Sequence, residues 1–306
     1  MPAVPLEHQL LHPNGQMRQR WFTLEGRLHG ELTRFDPAGH LLELSHYDNG
    51  LPHGSSVLYH PNGKVRQSSN YRDGQLDGEM LIHNEEGQPV QRSSFRAGAL
   101  EGESTFYNAA GRPVQIAEFH RDKLQGEVTL LDDNDQVIVE SRFLGGVLDG
   151  AMRLYQSDVP TAEIEFRDGR QHGQTRAFYP SGQVSQEGAY REGQPEGEAS
   201  FYLPGGQLGG RSIFRDGQLE GERLAYYPDG TVRERAPHQH GKLHGKVVQY
   251  YPDGKVKESQ TFKDGKPVGE KEEFDRSGRR KPKTTAGGPP SKPSLWQRLL
   301  NLIRRK

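Results

Sequence analysis

The chain has no cysteine, which removes any disulfide framework, thiol nucleophile or cysteine-ligated zinc site. It is also poor in apolar residues. Only 31% of its 306 residues are hydrophobic, and mean hydropathy is −0.90. Such a composition cannot fill a thick globular core. No run approaches the roughly 18 apolar residues of a membrane-crossing helix. Residues 1–15, MPAVPLEHQLLHPNG, lack the basic segment and apolar stretch of a signal peptide, so the sequence predicts a cytoplasmic protein. There is no Gly-rich phosphate loop opening a helix, no G-x-S-x-G elbow and no H-E-x-x-H. The expectation is a non-enzymatic chain with no cofactor and no small-molecule substrate.

Glycine is what the chain has in abundance, with 38 residues, and it recurs on a grid. Gly30, Gly54, Gly78, Gly102, Gly126, Gly150, Gly173, Gly197, Gly221, Gly245 and Gly269 follow one another at 24 residues, with a single interval of 23 after Gly150. A fixed period of this size is the mark of a repeat array, in which each unit is buried mainly against its neighbours. That arrangement explains how so little apolar content could suffice.

Two corners alternate along the grid. One is the run Tyr59–Gly63 (YHPNG), with relatives at Tyr179, Tyr227 and Tyr251. The other is the double-glycine run Tyr71–Gly78 (YRDGQLDG), with relatives at Phe95, Phe214 and Phe262. Pro presets φ, Asn or Asp bonds back to the backbone, and Gly takes positive φ, so both are reverse turns. The runs of five to eight residues between them favour strands. Each unit is then a β-hairpin. The predicted fold is all-β, an elongated antiparallel meander of about two dozen strands and on the order of 100 Å. Aromatic residues at the strand ends are expected to form ladders along it.

The alternating G-x-x-x-G and Y-Y-P-D/N-G corners resemble the MORN repeat, and more closely its bacterial variant in YwqK-type antitoxin proteins. The resemblance covers residues 10–278, about eleven units plus an N-terminal half-unit. It implies a protein- or membrane-binding array, the antitoxin or immunity partner of a bacterial toxin or effector. The recurrent Trp of the eukaryotic-type repeat is missing.

The expected organisation is the array at 1–278, a basic Pro/Gly-rich linker at 279–293 and a helix at 294–306. Net charge is −1, but residues 279–306 hold nine basic and no acidic residues. The rest carries 31 basic against 41 acidic residues, which suits a basic protein partner and no nucleic acid. The helix, SLWQRLLNLIRRK, can be capped by Ser294. It would present Leu295, Trp296, Leu299, Leu300 and Ile303, with Arg304 and Arg305 at its end. Three uses stay open: an anchor on an anionic membrane surface, such as the inner membrane, a cap on the sheet edge or a partner helix, and a frayed tail.

Departures from the grid fall at 122–160. Asp122 replaces a corner glycine, the run Leu131–Asp135 (LDDND) replaces a YPNG corner, and Tyr155–Pro160 (YQSDVP) lacks a residue. A partner-contacting patch and neutral drift in turns both fit. The candidate protein-contact residues are Tyr107, Asp132, Asp133, Asp135, Tyr155 and Tyr179. The three aspartates lack the glycine and distal Glu of a calcium loop, so a solvated turn is the expectation. His29, His53, His172 and His244 precede grid glycines and are expected to be repeat-position variants. His238 and His240, at i and i+2, are expected on one strand face, with no metal.

Overall fold

A computed structural model describes residues 3–282. These form one open antiparallel sheet of 26 strands, from Leu6–Leu11 to Lys266–Glu273, in which strands pair in sequence order. Three two-residue strands, Gln75–Leu76, Gln218–Leu219 and Lys242–Leu243, resume one residue later as the next strand, so the 26 segments occupy 23 positions. No helix occurs among the described residues, and the expected helix at 294–306 lies outside them. Accessible surface is 19645 Å², against roughly 13,000 Å² for a compact chain of this mass, as a single layer requires.

The double-glycine corners are two-residue turns with both central residues at positive φ, for example Asp73 (+50°) with Gly74 (+85°) and Asp168 (+49°) with Gly169 (+74°). This is the type I′ turn, whose twist matches that of the flanking strands. The grid glycine lies four residues beyond the second turn residue, inside a bulge. Ser45 pairs with Ser56 but Tyr47 pairs with Pro52, so Gly54 and both its neighbours stand opposite His46 alone. Every grid glycine has φ between +76° and +119°. The 24-residue period is therefore a backbone requirement, met without conformational strain only by glycine.

The aromatic side chains complete this device. Tyr71 stands directly opposite Gly54, Phe95 opposite Gly78, Phe143 opposite Gly126 and Phe262 opposite Gly245. A ring covering a cross-strand glycine shields the backbone that the missing side chain leaves open. The expected ladders of stacked rings are not what forms. Equivalent rings stand two strands apart, about 10 Å, with a glycine strand between them. Among the described residues, ring stacking joins His8 and Trp21, with centroids 5.2 Å apart.

The core is a line of small residues across the middle of the sheet. Successive register partners Ser45, Ser56 and Ser69, then Met80, Ser93, Ser104, Ala117, Val128 and Ser141, share one face. Ser93, Ser104 and Ala117 are fully buried. Phe95 and Phe106 lie two residues from Ser93 and Ser104 on the same face and supply the bulk. Burial this narrow needs few large apolar residues, which accounts for the composition.

The irregular middle keeps the same geometry. Asp122 adopts φ +65° in its glycine slot, Asp135 adopts +62°, and Ser157 and Asp158 form a two-residue turn at +51° and +61°. Tyr155 pairs with Pro160 where Tyr59 pairs with Val65, so the missing residue comes out of the loop and the register beyond is kept. Asp tolerates the left-handed region better than most residues, through local hydrogen bonding.

Candidate interaction surface

The wide corners form one long edge, most of them closed by one of two side-chain devices at the residue after the strand-end position. In the first, an Asx side chain caps the turn: Asp36 accepts from the N–H of Ala38 and His40, and Asp275 from Ser277 and Arg279. In the second, a His or Tyr reaches the neighbouring repeat. The Oη–H of Tyr179 donates to the Tyr202 carbonyl (2.7 Å), that of Tyr227 to Tyr250 (2.8 Å) and that of Tyr251 to Phe274 (2.9 Å). His60 Nε2 lies 2.9 Å from the His83 carbonyl in the same manner. Turns of the second kind are capped two residues later, as by Asn62 and Asp229.

The candidate aspartates belong to the first device. Asp132 Oδ1 accepts from the N–H of Asn134 (2.8 Å) and Gln136 (2.9 Å), and these backbone bonds hold its carboxyl below the usual carboxylate range. Asp133 accepts from Asn108 Nδ2 at 3.0 Å, and its carbonyl receives the Arg112 guanidinium. Asp135 fills the left-handed slot. The three therefore do not converge on a point. Tyr179 is a latch.

Tyr107 and Tyr155 lie on the face opposite the small-residue line. The Tyr155 hydroxyl donates to Glu140 Oε2 at 2.7 Å, and burial, followed by that carboxylate, pushes its pKa up. Glu140 begins a five-strand ladder of opposite charges, Glu140, Arg153, Glu163, Arg176 and Glu187, with N–O separations of 3.2 to 3.9 Å. Tyr202 closes the far end by donating to Glu187. Near Tyr107, Arg92 is held by Glu79, which raises the guanidinium pKa.

The tight corners form the opposite edge. The residue before each grid glycine faces the following turn: Glu101 accepts from Arg121 N–H, Glu196 from Asp216 N–H and Glu220 from His240 N–H, at 2.9 to 3.1 Å. The histidines at this position also face that turn: His29 Nδ1 lies 3.1 Å from Asp48 and His53 Nδ1 3.5 Å from Asp73, whereas His244 and His172 stand 3.4 and 3.8 Å from Asp264 and Glu192 with no hydrogen bond to Nδ1 among the described residues. They are structural variants of one slot. His238 and His240 do not share a strand face, because His240 is a turn residue at φ +49°. His238 Nδ1 lies 2.7 Å from the Ala236 carbonyl, and burial lowers its pKa. Among the described residues, no group of three or more His, Asp or Glu side chains converges.

Residues flanking the tight turns were not singled out by the sequence. Most of these pairs carry charge, such as Arg72 with Gln75, His120 with Lys123 and Arg167 with Arg170. Leu144 and Val147 are an exposed apolar pair around Gly145–Gly146. Aligning FLGGVLDG with YRDGQLDG would have shown it, but the glycine and aromatic grid draws attention to the positions that recur from repeat to repeat. One depression, about 560 Å³ and open to solvent, is lined by residues including Val248, Tyr250, Val256 and Phe274. Among the described residues no helix is long and apolar enough to cross a membrane.

These paired corners define a class of repeat protein. Five 22-residue stretches, 28–49, 52–73, 171–192, 219–240 and 243–264, match the MORN repeat variant, so the chain carries MORN-type repeats at those positions. Residues 74–170 lie between the matched stretches, and their hairpins have the same corners and bulges. No curated protein matches the chain. Among solved structures, a complex titled TcdB2-TccC3-Cdc42 is 12% identical over 90% of this chain and 18% of that one, with a TM-score of 0.17. A porin-like protein from Bacteroides uniformis is 11% identical over 72% of this chain and 94% of that one, with a TM-score of 0.18. The chain thus spans about a fifth of the first structure's length.

Proposed function

We propose that this chain is a non-enzymatic protein-binding scaffold, and that it acts as the antitoxin or immunity partner of a bacterial toxin or effector. The observation that carries the binding reading is the sheet itself. It offers two long faces and two stapled edges, and the depression beside Tyr250 is open to solvent. Small-molecule sites are usually concave and enclosed, whereas extended repeat surfaces suit macromolecules. MORN repeats in general bind proteins or membranes, and the resemblance to YwqK-type antitoxins favours a toxin as the protein. Binding would neutralise by covering the toxin's active or entry surface.

The test is co-expression of the chain with the product of each adjacent reading frame. Protection from a toxic product, with a complex that survives size-exclusion chromatography, supports the reading. Failure of every adjacent product to form a complex overturns it. In the alternative reading, the basic segment 294–306 anchors the scaffold to anionic membrane. Co-sedimentation of the full chain with phosphatidylglycerol vesicles tests that reading. Loss of sedimentation in Leu299→Asp/Ile303→Asp supports it, and sedimentation unchanged by the substitutions overturns it.

A further inference from the structure

We propose that the sixth tight corner, Leu144–Gly145–Gly146–Val147, is an apolar anchor that inserts into an apolar pocket on an acidic protein partner. The inference rests on the protein-binding reading and assigns it a contact site.

Leu144 and Val147 are 58% and 46% exposed, and they pair directly across the turn. The same two positions in other corners hold Arg72 and Gln75, His120 and Lys123, Arg167 and Arg170, or Arg215 and Gln218. Leu51, also exposed, stands opposite Asp48. The sixth corner is the one tight corner among the described residues with exposed apolar groups on both sides, and it sits at the middle of the row. Nothing in the fold requires this, since charged pairs serve elsewhere.

The corner is held rigidly. Gly145 N–H donates to Gln125 Oε1 (2.9 Å) and Gly146 N–H to the Leu124 carbonyl (2.8 Å), both in the preceding repeat. On the other side, a Cβ at Gly169 would stand 3.4 Å from Val147 Cγ1, so the valine lies against the next corner. An apolar group fixed before binding loses little conformational freedom on insertion.

Charge decides the occupant. Corners five and seven flank the anchor with Arg121, Lys123, Arg167 and Arg170, against Asp122 and Asp168. The exposed Asp122 reaches toward the preceding corner, accepting from the Leu100 N–H at 2.8 Å. Arg121, Lys123 and Arg167 make no ion pair among the described residues. Arg167 and Arg170 even face each other across the turn, an unfavourable placement within one sheet. Arg170 is paired with Glu192 at 3.0 Å, which leaves a central apolar anchor flanked by three unpaired cations, and that arrangement fits an apolar pocket with an acidic rim. A flat anionic membrane fits less well, because the same edge also carries Glu192, Asp216 and Asp264 at later turns.

The test places the photo-reactive amino acid p-benzoylphenylalanine at position 144, or at position 51 as a control, in the full chain within its source cells. The crosslinked protein is identified, purified and titrated with the wild-type chain and with Leu144→Ser/Val147→Thr. Circular dichroism checks that the variant keeps its sheet. Expected are an adduct from position 144 and not 51, and affinity about tenfold or more weaker for the variant. Wild-type affinity should fall as salt rises, and Arg167→Gln should reduce that dependence. The adduct should map to an acidic surface bearing an apolar pocket. Adducts mainly from position 51, no adduct from 144 with a partner that otherwise co-purifies, or equal affinity of variant and wild type overturns the inference. So does binding of phosphatidylglycerol vesicles that is lost in the variant. Those outcomes leave the protein-binding reading standing, whereas a wild-type chain with no protein partner sinks that reading itself.

Discussion

If the 24-residue period is a backbone requirement, alanine should be tolerated unequally along it. Gly150 and Gly197 occupy the same place in their repeats but differ in detail. Gly197 has φ +78° with open space where a Cβ would go. Gly150 has φ +119°, and a Cβ there would meet Arg142 Cβ at 3.2 Å and Cδ at 3.3 Å. Left-handed backbone costs an L-residue roughly 1–2 kcal/mol. Restricting the unfolded chain returns about 0.4–1 kcal/mol, which leaves Gly197→Ala destabilised by about 1 kcal/mol. Gly150 lies well beyond the left-handed well, where strain reaches about 3 kcal/mol, and Arg142 must move as well. With a urea m-value of about 3 kcal/mol/M, the midpoint should fall by about 0.3 M for Gly197→Ala and about 0.7 M or more for Gly150→Ala. Repeat arrays open in parts, so hydrogen exchange should quicken around Val137–Arg167 in Gly150→Ala before distant strands respond. Equal midpoints for the two variants, or no loss in either, would refute the account of the period.

Other consequences follow from the edges and the ladder. Tyr227→Phe removes the donor to the Tyr250 carbonyl, and should cost about 1 kcal/mol by urea denaturation with the sheet unchanged. Gly74→Asp should be tolerated to within about 1 kcal/mol, because Asp122 already fills the equivalent slot, whereas Gly78→Asp, at φ +115°, should cost more. Glu163→Gln should change stability by less than about 1 kcal/mol, since the ladder is solvated and its charges are partly screened. Hydrogen bonds hold the carboxyl pKa values of Asp36, Asp132, Asp229 and Asp275 below their ordinary value. Their contribution is therefore present above the unfolded pKa of about 3.9 and lost as pH falls through the lower folded values. Thermal melts should weaken below about pH 4, and less steeply in Asp132→Asn, whose amide oxygen still accepts without titrating.

The fold was legible because its scarcest conformation is written in one residue type. Left-handed φ in a bulge demands glycine, so the demand appears as an interval in the sequence, and the strands follow between. The ring ladders were misread because cross-strand neighbours in a meander are not equivalent positions of successive units. The neighbour of Phe95 across the sheet is Gly78, not Phe119. Candidate residues fared differently for a related reason. Asp132 and Asp135 look exceptional beside YPNG, but Asp132 does the work of Asp36 and Asp275, and Asp135 copies a glycine's backbone. A departure that restores the geometry of its row is structural, however unusual its letters. Leu144 and Val147 are the converse. They leave the backbone unchanged, as the type I′ turn at Gly145–Gly146 shows, and Leu144 in particular alters what solvent meets. Selection for folding cannot explain such a substitution, because charged pairs satisfy the same turn elsewhere along the edge. In an array whose repeats repair their own irregularities, evidence for a partner lies in side chains that depart from their row without any structural compensation.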